Sequence, residues 1–392
     1  MTERLTEKDL KIIVAIVAIS FIQGLQYGVS PVLNDISKHF PGVSISLVQM
    51  LITAPSILAM FVALVAGWLV TKISSKKLLL FAALASGITG LMPFLSDRFS
   101  LLFISRTIYG IPLGIATALN AVVVSAFFEG RKRVKVMGIQ GASVGLGMVV
   151  ITTVSGMLGA KSFETSYLIN LIGFISFILL AIFLPETGVA KKDREEPIRL
   201  NKRVFLTAGF AFLEFLFLIT FTTNISMHLA PAFEGNSGVS GAITGIFSAA
   251  QIFIGFVLGT ITKVIRKLTL PAAMLSFAVG CIFLVAFPNY LVLLAVGAAF
   301  CGFSQGMFIP TAYVEVSNAV GSASVAMASA VVTCATCVGQ LMSAVVLNQT
   351  AKVIFGTATT SHIYIVAMIG MSVSAVFCGV WQFGKNQNQT LK

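Results

Sequence analysis

Two ionisable side chains stand where the sequence surrounds them with hydrocarbon: Arg106 within FSLLFISRTIYGIPLG and Glu214 within VFLTAGFAFLEFLFLITF. A charge held in lipid costs on the order of 2.5–3.5 kcal/mol on the mildest insertion scale, so each is expected to face protein or a wet cavity. At that depth water no longer solvates the charged form of a carboxyl, which suits Glu214 to take up and release a proton. Arg106 is suited to bind an anionic group or to reset Glu214. A structural ion pair between the two is the alternative, and the sequence leaves open whether they meet.

The elements that hold these groups follow from length and composition. Of 392 residues, 57% are hydrophobic and 10% charged, and the mean hydropathy is +0.97. A soluble globule would be near a quarter charged, so the chain reads as a polytopic membrane protein. Roughly 20 apolar residues cross a hydrocarbon core of about 30 Å. Runs bounded by charge or turn residues give twelve spans, at about 11–33, 45–71, 77–95, 99–127, 134–159, 164–184, 203–230, 238–264, 270–287, 290–317, 321–349 and 359–383. The charged stretch 185–202 is expected to be a cytoplasmic linker between an N-terminal six-helix bundle, 1–184, and a C-terminal one, 203–392. Gly110 and Gly114 recur as Gly302 and Gly306, which points to an internal repeat.

The net charge of +12 does not indicate nucleic acid, because the basic residues sit between apolar spans. They gather at Lys72, Lys76 and Lys77, at Arg131 to Lys135, in the linker, and at Lys263, Arg266 and Lys267, whereas the opposite side holds Lys38, Arg98, Lys161 and Lys352. That bias places both termini in the cytoplasm. Trp68, Tyr313 and Trp381 are expected at the inner interface, and Tyr167, Tyr290 and Tyr364 at the outer one. The N-terminus runs into a full-length span without a small-residue cleavage site, so no removable signal peptide is expected.

Polar residues at helical spacing mark the faces turned from lipid. The first span carries Gln23, Gln26, Tyr27 and Ser30, and the fourth carries Arg106, Tyr109, Leu113, Thr117 and Asn120. The seventh adds Glu214, Phe217 and Phe221 with Asn224 beside them, and the tenth adds Ser304, Gln305, Phe308, Thr311 and Glu315. A central cavity accounts for these faces, and single Ser, Thr or Gln residues acting as helix glue account for them one at a time. His39, His228 and His362 read as interfacial, without metal-ligand spacing. Cys334 and Cys337 read as packed thiols, and no metal or cofactor is expected.

These residues resemble the major facilitator superfamily over essentially the whole chain. RTIYGIPLG, from Arg106 to Gly114, looks like that family's signature in the fourth helix, whose arginine is associated with proton coupling. Gly67, Leu69, Lys72 and Lys76 match its signature in the loop after the second helix, with Thr71 at the aspartate position and Ser74 at the second glycine. Gly141 and Gly145 are similar to the antiporter signature, with Leu146 at the proline position. The resemblance implies an all-α fold of two pseudo-symmetric six-helix bundles. It also implies gating roles for Gly67, Lys72, Lys76, Gly110 and Gly114, and Glu315, near the inner end of the tenth span, is placed for a capping or gate role or for contact with the substrate.

The expected activity is secondary active transport, without enzymatic chemistry, in an inner membrane and as a monomer. Efflux of a small organic or drug-like molecule against protons is the first reading, with Gln23, Gln26, Tyr27, Arg106, Tyr109, Asn120, Phe217, Phe221, Asn224, Gln305 and Phe308 around the substrate. Proton-coupled uptake of an organic anion is the alternative, and a sensor that moves nothing is the rival from another class. The expected partners are the substrate, protons and the lipid bilayer.

Overall fold

A chain in hydrocarbon must satisfy its backbone hydrogen bonds within each segment, and among the described residues the regular structure is helical with no strand. The computed structural model describes residues 6–70, 72–187, 199–321 and 324–387. Thr71 and residues 188–198 of the linker lie outside them.

Among the described residues, eleven segments are long and apolar enough to cross a membrane. The longest, Ser237–Ala286, is two helices that meet at Arg266, whose φ is 45°, so twelve helices result. In chain order α1 begins as Glu7–Gly24, tightens to 3-10 geometry over Leu25–Val32 and ends as Leu33–His39. Next come α2 (Ile45–Thr53 and Pro55–Leu69), α3 (Ser75–Leu91), α4 (Phe99–Ile108 and Gly110–Phe127) and α5 (Gly130–Gly159). The helix α6 opens with a 3-10 stretch, Phe163–Asn170, before Leu171–Phe183. Then follow α7 (Lys202–Leu218 and Thr220–Leu229), α8 (Ser237–Ile265), α9 (Thr269–Ala286), α10 (Leu291–Ala319), α11 (Val325–Phe355) and α12 (Thr360–Gln387).

The chain divides into two compact units, Met1–Arg194 and Glu195–Lys392. In the first, α1 packs on α5, α2 on α4, and α3 on α6; in the second, α7 packs on α11, α8 on α10, and α9 on α12. The pairing scheme is the same in both. A Cβ at Gly114 would stand 2.7 Å from the Ala59 carbonyl oxygen, and one at Gly306 would stand 2.7 Å from that of Gln251. Gly110 and Gly302 lie against the carbonyls of Pro55 and Phe247 in the same way. Each partner is shifted by the 192 residues that separate the glycines, so the repeat read in the sequence extends to the packing.

The basic end of the first unit is tied down by Asp9. Its carboxylate accepts from the Thr6 backbone N–H at 2.7 Å, which closes a capping box, and from Lys132 Nζ at 3.0 Å. Lys76 Nζ donates to the Ala181 carbonyl at 3.1 Å, placing a cation at the C-terminal end of α6.

Candidate functional site

In the first unit the site is organised by backbone carbonyls of α1 and α2 that accept from side chains of other helices. Pro55 has no N–H, so the Leu51 carbonyl one turn earlier lacks its helical partner. Arg106 Nε donates to it at 3.0 Å. Where α1 tightens into its 3-10 stretch, other helices supply donors to its backbone. Arg106 Nη1 reaches Leu25 O at 3.5 Å and Nη2 reaches Gln26 O. The Tyr109 hydroxyl donates to Ile22 O, and the Ser155 hydroxyl to Gly28 O, the acceptor that Pro31 cannot use. The guanidinium also lies 5.2 Å from the centroid of the Tyr109 ring, within cation–π range.

Arg106 is 6% exposed, and among the described residues no carboxylate lies within ion-pair distance of it. A void of about 20 Å³ adjoins it, lined also by Tyr167 and Asn170, whose Oη and Oδ1 are buried without partners. The space suits a single water. The remaining expected residues of this unit are divided. Gln26 Nε2 donates to Ile52 O at 3.1 Å and to Ser56 Oγ at 3.3 Å, and Asn120 Nδ2 to Ser20 Oγ at 3.1 Å. Tyr27 is buried and Gln23 half-buried. Thr117, expected on the face of Arg106, is exposed, whereas Leu113 and Asn120 of the same stripe are buried.

Glu214 is fully buried in the second unit. Its Oε1 accepts from Ser304 Oγ at 2.6 Å, and its Oε2 has no partner. Five residues later α7 breaks at Ile219, where the Thr222 and Thr223 hydroxyls both donate to the Ile219 carbonyl at 3.1 Å. Such local side-chain bonds compete with helical ones and bend the chain. Asn224 Nδ2 donates to Thr220 O at 3.0 Å in the same stretch. Phe221 stacks on Phe247 at 4.7 Å, Phe217 packs on Gly370, Phe308 is fully buried, and Gln305 is 9% exposed. Arg106 and Glu214 thus belong to different units.

Among the gating residues, Gly110 and Gly114 are close-packed on α2, Gly67 lies within α2, Lys72 is exposed, and Glu315 is half-buried near the end of α10. Two aromatic and histidine expectations are corrected. Tyr364, expected at an interface, is fully buried with its hydroxyl on Phe221 O at 3.5 Å. His228 is also buried, with Nδ1 2.9 Å from Thr360 Oγ1 and Nε2 2.9 Å from Leu284 O; those partners, distant in sequence, pay the desolvation of its ring. Sequence reasoning missed Ser155, Tyr167 and Asn170. Pro55 and Pro31, prolines inside apolar spans, signalled that carbonyls nearby would need donors.

Known proteins share the family and the fold. Residues 14–233 match the family model of the Major Facilitator Superfamily. The quinolone resistance protein NorA of Staphylococcus aureus is 23% identical over 288 residues, covering 71% of this chain and 74% of that protein. Among solved structures, a point mutant of the nucleoside transporter NupG superposes with a TM-score of 0.77 at 14% identity, over 94% of this chain and 99% of that one. A D-xylose–proton symporter gives 0.72 at 14% identity, over 93% and 96%. With a family model matching more than half its length and twelve helices arranged as two like-paired sixes, the chain belongs to the Major Facilitator Superfamily and is a multi-pass membrane transporter.

Proposed function

We propose that this transporter exports a small organic or drug-like molecule by alternating access, in exchange for protons carried by Glu214. The carrying observation is that carboxyl itself: it is wholly withdrawn from solvent, one oxygen is held by Ser304, and the other is unpartnered. A group so placed is costly to hold charged without compensation, and loading and release of a proton is the role that fits it. The likeness to a quinolone resistance protein supports export of an organic molecule. Both termini are cytoplasmic in this reading, by the bias of Lys and Arg. Arg106 holds α1, α2 and α4 in register.

The test uses purified protein in liposomes with an imposed pH gradient and a fluoroquinolone as the probe. Accumulation that follows the gradient supports the reading, and flux indifferent to it overturns the proton coupling. A second reading, proton-coupled uptake, draws on the fold shared with a sugar–proton symporter. Resistance in cells overproducing the protein, set against a growth defect on one carbon source in cells lacking it, separates export from uptake.

A further inference from the structure

At the end of the first unit where α1 closes on His39, a cavity of about 150 Å³ is walled by the rings of Phe40, Phe94, Phe163 and Tyr167. The rings meet in sequence almost at right angles. Phe40 and Phe163 are inclined at 70° with centroids 6.4 Å apart, Phe163 and Tyr167 at 84° and 6.1 Å, and Phe94 and Tyr167 at 85° and 5.9 Å. Four rings turned this way form the corners of a box around a space. Asp97 and Glu164 line the same cavity. Phe94 is 49% exposed, so the box has an open rim, whereas Phe163 and Tyr167 form a buried floor.

Aromatic faces carry negative potential and attract cations, most strongly where water is displaced. With two carboxylates at the same cavity, the field favours a positive guest that has apolar surface to offer the rings. We propose that this box binds a small organic cation of the quaternary-ammonium or alkylammonium class. The same chemistry comes from a free cation or from the headgroup of a choline lipid. Two groups already present moderate the site. His39 Nε2 lies 2.8 and 2.9 Å from the two oxygens of Asp97, leaving Glu164, which accepts from the Ser162 hydroxyl, as the second carboxylate. Arg98 also lines the cavity and opposes a second cation. The proposal stands apart from the transport reading, because it uses neither Glu214 nor Arg106.

The experiment measures equilibrium binding of choline to the full-length protein in phosphatidylglycerol nanodiscs, with 3,3-dimethylbutanol as the uncharged isostere. The expected result is binding of choline and not of the isostere. Glu164→Gln and Phe94→Leu each weaken it roughly tenfold, and Arg98→Gln strengthens it. All three residues lie at the rim or surface, and unchanged thermal unfolding confirms that the variants fold. Competition on adding phosphatidylcholine to the nanodisc identifies the lipid headgroup as the source, and its absence identifies the free cation. No choline binding, equal binding of the isostere, or binding undiminished in both weakening variants overturns the proposal.

Discussion

The two units treat their buried ionisable groups in opposite ways. In the first, three backbone carbonyls from two helices converge on Arg106, and a tyrosine ring flanks it. In the second, a single serine hydroxyl serves one oxygen of Glu214 and the other has no partner. The helix pairing around them is the same, and the small-residue contacts of α4 on α2 recur in α10 on α8. A common scaffold therefore carries one charge built into the frame and one carboxyl left under-coordinated. The difference separates a group whose nitrogens are all engaged by backbone carbonyls from a carboxyl with one oxygen unpartnered.

The comparison is broken most directly at Arg106. Arg106→Met removes the donor to the Leu51 carbonyl, which Pro55 cannot serve, together with the bonds to Leu25 and Gln26, and a buried group left unpaired costs about 1–3 kcal/mol. The expected result is a loss of about 3 kcal/mol or more, read as a large drop in thermal stability in detergent. Glu214→Gln keeps the shape and an acceptor for Ser304, so its loss of stability is expected to be under about 1 kcal/mol. Equal losses in the two variants would erase the distinction.

The shared scaffold is sharpened by paired substitutions. Gly114→Ala and Gly306→Ala place equivalent methyl groups against Ala59 and Gln251, and each is expected to lose about 1–3 kcal/mol through overpacking. Matched losses in thermal unfolding support equivalence of the two contacts, and a clear mismatch denies it. A comparably small effect is expected at the Asp9–Lys132 pair, whose side chains are 15% and 26% exposed. Lys132→Met should lower stability by up to about 1 kcal/mol, less so at high salt, because the pair borders solvent.

Much of this contrast is legible before any coordinates. Arg106 and Glu214 announce their burial by standing in apolar runs, and the glycines at a fixed offset announce the repeated packing. His228 and Tyr364 mislead because their partners, Leu284, Thr360 and Phe221, come from other parts of the chain. Tyr167 reads as an interfacial aromatic in sequence and Asn170 gives no signal, and the void beside Arg106 sets both apart.

The most direct measurement compares two modes of flux through Glu214→Gln protein in liposomes: substrate exchange without a gradient, and accumulation driven by a pH gradient. The account predicts that exchange persists, because the frame is intact, while gradient-driven accumulation and its pH dependence are lost. Gradient-driven accumulation at the wild-type rate, with the wild-type pH profile, would contradict it.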